Sequence, residues 1–269
     1  MVKNTLRFFS LLGVTILSIC HPLVADNEAS YQGAKTVYLQ YQLEQEGKHL
    51  AQNGHYDEAI AKFKEALDPK YINYDFQKAF AIGSIVKILI WQEKYDEAIK
   101  RNKWFMEKKV TSYALEQEAL IQALKEYKNS DDRQVIYNFI NRLKKDHEKE
   151  LPSKGYEQIN GVSTIANIIR LYDTIGDSDA GIKFIDEILI FLRDRKKNKA
   201  EAYAVYDRIK TVDQAANCMK IGPKDNADWH GCKFLSGYLS VREAFEKDKA
   251  DGTKGRATKA LIQSDYFPW

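Results

Sequence analysis

The sequence predicts an all-α chain built from repeated helix pairs, on three observations. The five prolines, at 22, 69, 152, 223 and 268, fall between apolar-periodic segments and never inside one, so helices are free to run through the long proline-free spans. Val, Ile and Thr do not gather into alternating runs, and Asn53-Gly54 ends a helical pattern rather than joining two strand-like ones. The block Tyr56-Asp57-Glu58-Ala59-Ile60 returns 39 residues on as Tyr95-Asp96-Glu97-Ala98-Ile99, a five-residue identity at a fixed offset.

Taken in order, the chain opens with Lys3 and Arg7, an apolar run over residues 8–20, His21-Pro22 and then Leu23-Val24-Ala25. This reads as a secretory signal peptide over residues 1–25, cut after Ala25. An uncleaved N-terminal anchor is the competing reading, because Leu23 is bulky for its place before the cut. Leu17-Ser18-Ile19-Cys20 also resembles a lipobox, with Cys20 as the lipidated residue, although Ile19 stands where that pattern has Gly, Ala or Ser. Removing residues 1–25 leaves 39 basic against 38 acidic residues. So even a balance is no footprint of nucleic-acid binding.

Residues 31–53 carry apolar marks at Val37, Tyr41, Leu43 and Leu50, and lead through Gly54 into a partner helix over 56–67, which Asp68-Pro69 closes. A second pair spans about 75–108, with Phe80, Ile82, Ile85, Leu89 and Trp91 on its first helix. On its second helix Asn102 stands where Phe63 stood and Phe105 where Ala66 stood, which moves bulk one turn along. Residues 113–127 and 133–145 form a third pair around the turn Asn129-Ser130-Asp131-Asp132, with Val135, Phe139 and Leu143 as its packing stripe. Residues 161–175 and 180–195 form a fourth around Gly176-Asp177-Ser178-Asp179, with Ala180 and Phe184 repeating the Ala59 and Phe63 spacing. A helix over 199–219, a cysteine loop, a helix over 234–245, a charged stretch over 247–254 and a short helix over 257–262 complete the chain as a helical cap, residues 199–269. The final Tyr266, Phe267 and Trp269 suit a tail folded back on its own domain better than a docking peptide.

The stretch from Asn53-Gly54 through Ala59, Phe63 and Ala66 to Asp68-Pro69, with Gly47 seven residues before Gly54, resembles a tetratricopeptide repeat. The match is clearest over residues 40–108, and the repeat-like part is read as residues 26–198. The resemblance implies a right-handed superhelical solenoid of antiparallel helix pairs whose first helices line a concave groove. On that pattern Tyr41, Lys48 and Gln52 face the groove from the first pair, and Phe80, Lys87 and Trp91 occupy the equivalent positions of the second. Groove lysines in the family can hold a partner's carboxylate, which implies an acidic protein or peptide partner. The family's accompanying asparagines are not at matching positions, and exposed helix lysines are the competing reading.

Little in the chain carries chemistry. Four histidines follow residue 25, and none makes a two-histidine ligand pattern; no phosphate-binding glycine loop and no nucleophile elbow occurs. Cys218 and Cys232 form an even pair in an exported chain, which suggests a disulfide, with a metal site shared with His230 as the alternative. The reading is a scaffold of a bacterial periplasm or cell envelope, with no catalytic activity, no cofactor, no metal and no nucleic acid, and with membrane contact only through an uncleaved or lipidated N-terminus. A lipid-anchored envelope assembly factor is one alternative. A helical hydrolase or metal-binding domain near His230 is another.

Overall fold

The computed structural model describes residues 28–71, 75–108, 111–154, 159–195, 209–221 and 227–264. The described residues are all-α, with eleven helices. These are α1 (Glu28–Gln52), α2 (Tyr56–Ala66), α3 (Asp75–Trp91), α4 (Tyr95–Glu107), α5 (Thr111–Ser130), α6 (Arg133–Lys154), α7 (Ile159–Ile175), α8 (Ser178–Arg195), α9 (Val212–Ile221), α10 (Ala227–Asp251) and α11 (Arg256–Gln263). No described helix is long and apolar enough to cross a membrane. The signal segment, Cys20 and the aromatic C-terminus lie outside the described residues.

The chain divides into two compact units, the first holding residues up to 51 and 55–85, the second holding 52–54 and everything from Val86. In the first, Phe63, Ala51, Ala59 and Ala66 are all wholly buried. A Cβ on Gly47 would lie 3.0 Å from the Phe63 ring, so any larger residue there would push that buried ring aside. Phe80 meets Phe63 edge-on, with ring centroids 6.4 Å apart. In the second unit consecutive helices pack in series, α4 on α5, α5 on α6, α6 on α7 and α7 on α8. Beyond these, α10 packs on α8, α9 and α11, and α11 returns to α7.

Helix pairs close through a repeated turn. Gly54, Glu93, Gly176 and Gly252 adopt positive φ of 84°, 57°, 68° and 65°, and Asp131 does so at 54°. After the first four, the next amide reaches back to a carbonyl five residues earlier: His55 to Leu50 at 2.9 Å, Lys94 to Leu89 at 2.8 Å, Asp177 to Tyr172 at 2.9 Å, Thr253 to Asp248 at 2.9 Å. This is the Schellman ending, which satisfies a terminal carbonyl and aims the chain back along the helix it leaves.

These turns correct the register expected for the later pairs. Five residues after the positive-φ residue stand Ala59, Ala98, Ile136 and Gly181, all buried, whereas Val135 and Ala180 are only half-buried. The equivalent of Phe63, nine residues after the turn, is Ile140 in the third pair and Ile185 in the fourth, not Phe184. Spacing of apolar letters alone misses such a one-residue offset, because neighbouring positions on a broad apolar face both read as core.

Several boundaries also move. Asn129 and Ser130 belong to α5, and α6 runs past Pro152 to Lys154, so this proline falls inside a helix. At Pro152 only one backbone bond of the last turns is lost. Of the helix expected over 199–219, residues 199–208 lie outside the described residues, 209–211 are not helical, and α9 begins at Val212. A capping box sets that start: Gln214 N–H donates to Thr211 Oγ1 at 3.2 Å, and Thr211 N–H donates to Gln214 Oε1 at 3.3 Å. The cysteine loop is shorter than expected, because Cys218 lies on α9 and Trp229, Gly231 and Cys232 lie on α10. The charged stretch shrinks likewise, since α10 continues to Asp251.

Candidate partner-binding surface

On α1 the residues Val37, Tyr41, Glu44 and Lys48 fall within about 60° of arc at about 100° per residue, beside a buried stripe of Gln40, Gly47 and Ala51. Tyr41 is 50% exposed, Val37 and Tyr38 are exposed with it, and Lys48 and Gln52 are half-buried. On α3, Phe80 is exposed while Lys87 and Trp91 are half-buried. The spacing Tyr41, Lys48, Gln52 is thus repeated by Phe80, Lys87, Trp91 along a second first helix. Tyr41, Lys48 and Phe80 belong to the first unit; Gln52, Lys87 and Trp91 belong to the second.

Neither lysine is a fully exposed helix residue. Burial of its charged end pushes Lys87 down to about 8. The ammonium is still mostly protonated at neutral pH, so Lys87 keeps the charge that favours a carboxylate. Glu44, which the sequence reading passed over, is the opposite case. Burial pushes its carboxyl up to about 7, against the opposing effect of a hydrogen bond from Gln40 Nε2 to Oε1 at 3.1 Å. Its signal in the sequence is a carboxylate on the stripe between Tyr41 and Lys48, one turn from each.

No protein-family model, curated protein or solved structure matches this chain. What the surface can do therefore rests on its own chemistry.

A second polar region lies in the second unit, where the start of α11 is held from two sides. Gly255, the residue before α11, has no side chain to cap the helix. Buried Asp173 on α7 replaces it, accepting from Gly255 N–H and Thr258 N–H, each at 2.8 Å. Buried Asp248 on α10 accepts from Thr253 Oγ1 at 2.7 Å and Arg256 N–H at 3.0 Å. A cleft of about 450 Å³ opens beside them, lined by Arg133, Asp177, Asp179, Lys249 and Lys254 among others. Its lysines already have partners: Lys249 pairs with Asp179 at 2.6 Å, and Lys254 donates to the Thr174 carbonyl at 2.8 Å. Tyr137 donates to Asp177 at 2.5 Å, a bond that, with burial, pushes the phenol up to about 12. These contacts tie helix ends together, and the sequence signal was there in Gly255, an N-cap that needs an acceptor from elsewhere.

Cys218 and Cys232 stand at disulfide-bonding distance, with Cα atoms 6.1 Å apart. Paired, they are not thiolate ligands, and among the described residues no three His, Cys, Asp or Glu side chains gather as a metal site. The His230 side chain lies outside the described residues.

Proposed function

We propose that the protein is a non-catalytic helical-repeat scaffold of the cell envelope, and that it takes a protein partner through the first helices of its pairs. The observation that supports this best is the recurrence of one aromatic and lysine pattern, Tyr41 with Lys48 and Phe80 with Lys87, on two first helices whose turns share one geometry. Exposed aromatics supply apolar contact area, and the lysines set charge preference and association rate. An acidic residue of a partner suits Lys48 in the first unit, and another suits Lys87 in the second. The resemblance to tetratricopeptide repeats is part of the same reading, supported by the 39-residue offset between the first two turns.

The test is capture of native partners by the Lys48→Glu and Lys87→Gln variants, singly and together. Lys87→Gln removes the charge without placing a carboxylate in a half-buried site. The reading expects weaker capture with an unchanged helical circular dichroism spectrum, and weaker capture by the parent as salt is raised. Undiminished capture by the folded double variant contradicts it.

A further inference from the structure

The α1 stripe contains a carboxylate, Glu44, that makes no ion pair among the described residues, next to aromatic rings that are open to solvent. Tyr38 is 60% and Tyr41 50% exposed, and Glu44 follows Tyr41 by three residues on the same face. Gln40, only 1% exposed, donates to Glu44, and its own amide oxygen is buried without a donor among the described residues. The charged groups around it do not offset Glu44. Among the described residues, Lys48 on α1 has interactions of its own and Lys62 on α2 reaches Glu46 at 2.9 Å and Glu65 at 3.7 Å, while burial and the Gln40 hydrogen bond act on the Glu44 carboxyl.

We propose that this patch is the seat of an arginine side chain of the protein partner, its guanidinium stacked on Tyr41 and paired with the Glu44 carboxylate. The inference rests on the reading of α1 as a partner-binding helix and names what that helix selects. A purely apolar partner would bury Glu44 without a counter-charge, and an acidic one would repel it. Lysine would neutralise the charge but has no plane to lay on a tyrosine ring; guanidinium has both the plane and a fork of donors. Gln40 fits this exchange. Its amide nitrogen serves an ionised Glu44, and the amide turned over would accept a hydrogen bond from a neutral one; the guanidinium favours the ionised form, so the partner's arrival and the loss of the Glu44 proton favour each other. The full partner segment then carries mixed charge, arginine toward Glu44 and acid toward Lys48.

The experiment uses the whole chain and three short alanine-glycine peptides that differ at one position: arginine, lysine or the neutral isostere citrulline. Anisotropy titrations at about pH 8 and about pH 6 bracket the Glu44 transition. The expected result is binding of the arginine peptide about tenfold tighter than the citrulline peptide at the higher pH, with lysine between them, and a several-fold loss at the lower pH. Glu44→Gln should erase both the preference and its pH dependence while melting no lower than the parent at about pH 8, since it removes a half-buried charge. Equal binding of arginine and citrulline peptides, or a preference that survives in Glu44→Gln, overturns the proposal. A photo-crosslinker at Tyr38 in cells separates the two levels. Partners captured there, with no arginine preference in the peptides, leave α1 as a binding helix and remove its arginine seat; no partner captured there and no peptide preference remove both.

Discussion

Helices α2 and α4 begin with the same five residues and the same cap geometry, yet they solve their packing in different ways. His55 and Lys94 both precede the helix at φ near −80° and ψ of 61° without a side-chain cap. Nine residues after its turn α2 carries Phe63, whose ring lies against Gly47 of α1. At the equivalent places the second pair has Asn102 and Val86, both buried. The large residue has shrunk and the small one has grown. Asn102 turns its amide to the next helix, where Nδ2 donates to the Ala114 carbonyl at 2.8 Å. The comparison teaches that the turn and the first helical turn carry the repeat, while each interface is fitted separately by complementary size and, in the second pair, by one buried hydrogen bond.

The largest expected effect lies in the first pair. Phe63→Ala should cost about 3 to 5 kcal/mol, because the cavity borders a glycine that cannot fill it. Chemical denaturation reads this directly, and a variant as stable as the parent breaks the comparison at its first term. In the second pair Asn102→Ala should cost about 1 to 3 kcal/mol, and Asn102→Phe should be worse than Asn102→Leu, since the site is buried and the repeat-equivalent of Gly47 is the larger Val86. If Asn102→Phe is neutral, size complementarity does not govern that interface.

The fold class and the first two pairs were legible in the sequence because the turn, Ala59, Phe63 and Ala66 fall on one narrow stripe that only a helix explains. The later pairs were legible as helices but not in register. There the wedge is Ile140 or Ile185 beside apolar neighbours, and composition does not say which of two adjacent residues is inside. Turn geometry does say so, but Glu93 and Asp131 adopt positive φ without the glycine that would announce it. The candidate surface was half legible. Tyr41 and Phe80 are exposed as the repeat pattern implied. Glu44 went unseen because a carboxylate one turn before a lysine on a helix usually faces water.

Lys48 and Lys87 carry the comparison to charge. Unfolded, Lys87 titrates near 10.5; folded, near 8. Between these values the unfolded chain holds a proton that the native one has released, so stability should rise with pH across this window. Lys87→Met should remove that rise and gain no more than about 3 kcal/mol near neutral pH, read as melting curves of the two proteins against pH. A parent and variant with parallel profiles would show Lys87 to be well hydrated. The smallest effect is at the turns. Glu93 holds the conformation that Gly54 holds in the first pair, so Glu93→Gly should change stability by less than about 1 kcal/mol, the relief of backbone strain set against loss of the exposed Lys128 pair.

The account's central claim is that the first helices of the pairs meet the partner and the second helices do not. Photo-crosslinking residues placed one at a time at Tyr41 on α1, Phe80 on α3, Lys64 on α2 and Lys100 on α4 test it in intact cells, where the crosslinked products are identified by mass. The account predicts one and the same partner from Tyr41 and Phe80, and none from the exposed Lys64 and Lys100. Products from Lys64 and Lys100, with none from Tyr41 and Phe80, would contradict it.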